Sequence, residues 1–71
     1  MDTRKEQLLR EVREGIHSKI VLGIRMPDGT KEIIINDHVA NKAEYIDAKY
    51  DDDLKMRGAP IQIEEYLLIK A

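Results

Sequence analysis

The side chains able to do chemistry in this chain are few and mostly acidic. His17 and His38 are its only histidines, Ser18 is its only serine, and cysteine is absent. A zinc-type centre needs several nitrogen, thiolate or carboxylate ligands converging on one point. His17 follows the first predicted helix and His38 opens the second, and their spacing suggests no shared centre. They read as surface or cap-region histidines. A serine triad would have to combine Ser18 with one of these imidazoles, and no nucleophile-elbow glycines flank it. Gly23, Gly29 and Gly58 stand apart from one another, so no phosphate-cradling loop is formed. The run Asp51-Asp52-Asp53 lacks the alternating oxygen ligands, central glycine and terminal glutamate of a calcium loop. No catalytic residue, metal ligand or cofactor is expected, and the chain reads as non-enzymatic.

What remains is a row of carboxylates. On a helix from Asp37 to Arg57, Glu44, Asp47 and Asp51 share one flank, with Asp37 near its start. Spacings of three and four residues bring such side chains to about 5–6 Å from one another. A row of that kind can imitate a phosphate backbone and bind a basic protein, and Tyr45 beside it is a fitting contact residue. The plainer alternative is a solvated helix face. A second set, Arg25, Lys42, Tyr45 and Lys49, combines an aromatic ring with cations and would suit a small anionic nucleotide in a pocket between subunits.

The elements that must position these residues are legible. Thr3 and Glu6 fit a capping box for a helix over residues 3–14, with Leu8, Leu9 and Val12 as its apolar stripe and Gly15 as a left-handed stop. Glu6 and Arg10 are spaced to pair along it. Residues 19–26 alternate as a strand with Ile20, Leu22, Ile24 and Met26 on one face. Pro27-Asp28-Gly29-Thr30 is a turn, and residues 31–36 return as the second strand. Asp37 is placed to cap the second helix, whose Val39, Ala43, Ile46, Tyr50 and Leu54 make one apolar stripe. Gly58 is its expected C-terminal cap, and Pro60 prevents its resumption. Residues 61–69 form the third strand, with strict alternation placing Ile61, Ile63, Leu67 and Ile69 on one face and Tyr66 and Leu68 on the other.

These elements predict a single α+β domain over residues 1–71, in the order α-β-β-α-β. Its three-stranded antiparallel sheet has order 2-1-3, with both helices on one face. The other face would show Val21, Ile33, Ile35, Tyr66 and Leu68, which is too apolar to remain in water. A homodimer or higher oligomer closed through that face is expected.

Composition points the same way. The chain has 71 residues, 37% of them charged, with neither Phe nor Trp, so its own core is small. Residues 1–19 carry five basic and four acidic side chains, and residues 37–57 carry four basic and six acidic ones. No basic block follows a phosphate backbone, which disfavours direct nucleic-acid binding. No stretch has the length and apolarity of a membrane span or signal core, so a cytoplasmic protein is expected.

The run from Val39 to Leu54, followed by a short polar turn and Ile61-Gln62-Ile63, resembles small orphan proteins of bacteriophages of Gram-positive bacteria. In these a helix patterned N-V-x-x-K-x-x-Y-I-x-x-x-Y-D-x-x-L follows a DG or NG hairpin and precedes a final strand. The likeness covers residues 20–69 and departs at Ala43, where a larger apolar residue is the pattern. It implies a host-takeover protein in the host cytoplasm that binds and inhibits a host protein stoichiometrically, in some cases as a DNA mimic against a basic DNA-binding protein. Two other roles belong to the same class: an oligomeric sponge for a nucleotide immune signal, and a structural or assembly accessory.

Overall fold

The computed structural model describes residues 1–71 as two layers, two helices over a three-stranded sheet. Helix α1 runs from Arg4 to Arg13, strand β1 from His17 to Arg25, β2 from Lys31 to Asn36, helix α2 from Val39 to Lys49 and β3 from Gln62 to Lys70. The sheet has order β2-β1-β3, with β1 antiparallel to both neighbours. The α+β class, the strand order and the antiparallel pairing agree with the sequence reading.

Local chemistry explains the ends. The Glu6 N–H donates to Thr3 Oγ1 at 3.1 Å and the Thr3 N–H donates to the Glu6 carboxylate at 3.4 Å, closing the capping box. At the hairpin, Asp28 Oδ1 accepts from the Thr30 amide at 3.0 Å and the Thr30 hydroxyl at 2.6 Å, and Gly29 takes φ +87°. Those two bonds hold the Asp28 carboxyl below its ordinary pKa, the hydroxyl bond being the stronger influence.

Five local expectations are corrected. Gly15 is not left-handed, since α1 ends through Glu14 in the right-handed region and β1 begins at His17, two residues earlier than its pattern predicts. Arg10 pairs with Asp2 and, at 3.8 Å, with Glu14 rather than with Glu6. Asp37 does not cap α2: His38 holds the cap position, and its N–H donates to Asn36 Oδ1 at 2.7 Å. Finally, α2 stops at Lys49, with Tyr50 already extended.

The cause of that early stop is Asp51. Its Oδ1 accepts from the amides of Asp53 and Lys55 at 2.9 and 3.0 Å, a local alternative to the helix that aspartate side chains favour. The Leu54 N–H then donates to the Asp51 carbonyl and Leu54 turns to φ +62°. Residues 50–56 double back, bridging Tyr50 to Met56 and Lys55 to Gln62. Gly58, with φ +80°, serves this loop and not a helix end. Asp51 and Lys55, like Asp53 and Arg57, are four residues apart but have no helix on which to pair.

The core lies between the layers. Leu8, Ile20, Leu22, Ile46, Leu54 and Ile63 are wholly inaccessible, and Val39, Ala43 and Tyr50 are buried beside them. The apolar stripe expected of the second helix is thus buried in full, although its last two members lie beyond the helix.

The sheet carries one irregularity with large consequences. Gly23 pairs with Glu65 but Ile24 pairs with Ile63, which leaves Glu64 as an extra residue in β3. Such a bulge shifts the alternation of every residue beyond it. Ile63 is in the core, and past the bulge Tyr66 and Leu68 also pack against the core. Leu67 and Ile69 are turned out to the open face. The sequence reading had these pairs reversed, because strict period-two alternation has no place for the bulge.

Candidate protein-binding surfaces

The helix layer brings together part of the acidic row. Glu44 is exposed on α2. Asp47, one turn on, keeps 61% of its side chain exposed while Oδ1 lies 3.4 Å from Lys5 Nζ. Between α1 and α2 a cleft of about 280 Å³ opens beside them, lined by Leu9, Val12, Ala40 and Ala43, with Arg13 on one side and Glu44 and Asp47 on the other. Two alanines on α2 make the cleft: larger side chains there would fill the groove between the helices. The site therefore has an apolar floor and a charged rim, the usual anatomy of a protein contact.

The rest of the expected row is elsewhere. Asp51 lies past the helix with its carboxylate turned onto backbone amides. The Lys55 amide above all holds it below its ordinary pKa. Its role is to form a turn, and it does not continue the line of Glu44 and Asp47. Asp37 sits before α2, 3.5 Å from His38 Nε2. Tyr45 is half-exposed, with Lys42 Nζ 4.8 Å over its ring and the Tyr50 ring edge-on at 6.5 Å.

The four residues considered for an anionic nucleotide are not gathered within one chain. Lys42 and Tyr45 border a small cleft of about 160 Å³ with Met26, Ile34 and Met56. Arg25 is on the strand side, paired with Glu64, and borders a different cleft with Asp51 and Lys55. Lys49 is exposed at the end of α2. No three of the chain's His, Asp and Glu side chains are gathered as a metal site.

One functional-looking group was missed by the sequence reading. Lys5 is buried against the C-terminal end of α2, and its ammonium donates to the carbonyls of Tyr50 at 3.0 Å and Asp47 at 3.3 Å. It thereby closes the C-terminal end of α2, where unpaired carbonyls and the helix dipole both favour a cation. Its sequence signal is weak: a lysine between the cap residue and Leu8, on the face that also carries Leu8 and Leu9.

At the other end of the molecule the Tyr66 hydroxyl donates to the Glu11 carboxylate. His17 Nε2 lies 3.0 Å from the Glu11 carbonyl, which places the proton on Nε2, and Nδ1 is buried with no partner. Burial, and then the Glu11 carboxylate, push the Tyr66 phenol up to about 12 from 10.0. A phenol raised in the folded state contributes stability that is fully present below the unfolded value and is lost as pH climbs through the folded one. Urea unfolding is therefore expected to be level from neutral pH up to about pH 10 and to weaken between 10 and 12. Tyr66→Phe will make that alkaline decline shallower, leaving the shares of Tyr50, whose phenol is also raised by burial and by Tyr45, and of Lys31, whose ammonium is raised by its bond to Glu65. An unchanged alkaline slope in Tyr66→Phe would show that this phenol is not linked to folding.

The fold and the cleft define a small two-layer α+β domain with a candidate contact surface on its helices. Comparison with protein-family models, with curated proteins and with solved structures gave no match. None of the chain's helices is long and apolar enough to cross a membrane.

Proposed function

We propose that the chain is a non-enzymatic binding protein that engages a basic partner protein through the helix layer and inhibits it by occupying its binding surface. The observation that supports this reading is the cleft between α1 and α2, whose apolar floor meets the carboxylates of Glu44 and Asp47. An apolar side chain of the partner would seat between Leu9 and Ala43, while lysines or arginines beside it meet the two carboxylates. Tyr45 follows Glu44 in sequence but borders the separate small cleft with Lys42 and Met56, so it lies outside this contact. A host DNA-binding protein suits such a surface, and stoichiometric action is what the resemblance of residues 20–69 to small phage proteins implies. In this reading the acidic set is Glu44 and Asp47, since the Asp51 carboxylate accepts from the amides of its own turn.

The test begins with capture from bacterial lysate on the immobilised chain and continues with the purified partner. Glu44→Gln with Asp47→Asn is expected to weaken binding about tenfold or more at low salt and to flatten its salt dependence. Lys5 retains its two carbonyl acceptors in that variant. Asp47 is largely exposed and water screens its pair with Lys5, so the fold should be unaffected. Equal affinity of the double variant and the parent chain for a captured basic protein would rule out this surface.

A further inference from the structure

We propose that the open face of the sheet is the interface of a symmetric dimer, with a second copy of this chain as its occupant. This inference is independent of the helix layer. The face differs from the one that alternation alone predicts. Ile33, Ile35, Leu67 and Ile69 are 60%, 63%, 60% and 39% exposed. The pairing sets Val21 between Ile35 and Leu67, so the three residues form one row across the sheet. Beside that row Ile33, Gly23 and Glu65 form a second, and Lys19 and Ile69 lie on its other side. The bulge at Glu64 is what brings Leu67 and Ile69 here.

Three features favour a copy of the same chain. The first is charge. Arg25 pairs with Glu64, and Lys31 Nζ lies 2.7 Å from Glu65 Oε1, so this end of the face carries no net charge that would repel its twin. The second is size. The molecule measures 34 × 26 × 18 Å. The open face spans all three strands, two of them nine residues long, and so offers a broad surface toward the about 800 Å² per partner of a standard interface. The third is shape. Beside Gly23 a dent of about 270 Å³ opens, walled by Val21, Ile33 and Leu67 and by the Glu65 side chain that lies over the glycine, into which a facing side chain can seat. A Cβ at Gly23 would lie 2.7 Å from Glu65 Cγ, so glycine here also lets the Lys31–Glu65 pair lie across the strand.

Charge and shape together choose the axis. A twofold parallel to the strands would set Lys19 on Lys19 and the Gly23 dent on itself. A twofold across the strands, through the Val21 row, sets Lys19 of each copy over the Gly23 dent and beside Glu65 of the other. Only the second arrangement keeps Lys19 off its own twin and sets it at the dent, where it shares the Glu65 carboxylate with Lys31.

Sedimentation equilibrium of the full chain over a micromolar to millimolar series tests this directly. A dimer is expected. Ile35→Lys and Leu67→Lys, both at exposed positions, should each weaken it about tenfold or more with an unchanged circular dichroism spectrum. Lys19→Glu should also weaken it, and adding Glu65→Lys to that variant should restore it. Glu44→Gln with Asp47→Asn should leave it intact. A chain that stays monomeric throughout would overturn the proposal. So would a dimer indifferent to Ile35→Lys and Leu67→Lys, or one that depends on Glu44 and Asp47. Failure of the charge swap to restore the dimer would overturn the axis.

Discussion

Leu54→Ala is expected to lower the unfolding free energy by about 3 kcal/mol, and Leu54→Gly is expected to cost nearly the same. The first part follows from burial: Leu54 is wholly inaccessible and packs in the main core beside Ile46, Tyr50 and Ile63. In a chain of 71 residues that loss corresponds to a fall in melting temperature of roughly 12–24 °C. The second part follows from the backbone. Leu54 has φ +62°, the only non-glycine residue in the chain with positive φ. A Cβ in that region costs about 1–2 kcal/mol. Glycine removes that cost but gives up the methyl group and adds chain entropy to the unfolded state, each about 1 kcal/mol or less. These terms nearly cancel, so the two variants should differ by about 0.5 kcal/mol. At an ordinary helical site glycine would be worse than alanine by about 1 kcal/mol. Urea denaturation of the two variants decides the matter. If the glycine variant is clearly the weaker, the left-handed turn at Leu54 stores no strain.

The same residue shows why some features are readable from sequence and others are not. Val39, Ala43, Ile46, Tyr50 and Leu54 repeat at helical spacing and all are buried, so periodicity identified the right core set. It could not locate the helix end, because the turn after Tyr50 returns Leu54 to the core at the place a helix would have put it. The local signal was three consecutive aspartates, poor helix formers whose side chains compete for backbone amides. At Asp51 that competition succeeded, and it removed one member of the expected acidic row. β3 shows the same pattern of failure. Alternation correctly placed Ile63 in the core and Val21, Ile33 and Ile35 on the open face. It failed after Glu64, since a bulge depends on the partner strand and not on the residues of β3 alone. In retrospect the adjacent pair Glu64-Glu65 carried a hint. Two neighbouring glutamates that meet Arg25 and Lys31 on one face cannot both obey a strict alternation. The hairpin at Asp28-Gly29 and the box at Thr3 and Glu6 were legible because their chemistry is complete within a few residues. The capping of α2 by Lys5 spans 45 residues to Tyr50, and no local pattern records it.

That long-range cap predicts the second large effect. Lys5→Met is expected to lower stability by about 2–3 kcal/mol, although methionine retains most of the apolar stem. In the folded chain the Lys5 ammonium donates to the Tyr50 and Asp47 carbonyls and stands 3.4 Å from the Asp47 carboxylate. The Tyr50 bond is buried, so its carbonyl has no solvent to turn to when the donor is removed. An unsatisfied buried carbonyl costs more than the net gain of the bond it has lost. The carboxylate itself contributes little, because Asp47 is largely exposed and water screens the pair. Asp47→Asn should therefore be nearly neutral for folding, while Lys5→Met should be severe. Lys5→Arg separates charge from fit. A guanidinium keeps the charge but is bulkier and planar, and it cannot replace a compact ammonium in a buried socket. It should recover less than half of the loss. The backbone of the same residue supplies a control, since the Lys5 N–H donates to the Asp52 carbonyl at 3.1 Å in any variant. Amide hydrogen exchange gives the sharper readout. In Lys5→Met the amides at the end of α2, Tyr50 above all with its bond to Ile46, should lose protection before those of β1. If Lys5→Met melts with the parent chain and Tyr50 remains protected, the ammonium is a passenger and α2 is closed by Asp51 and its turn alone.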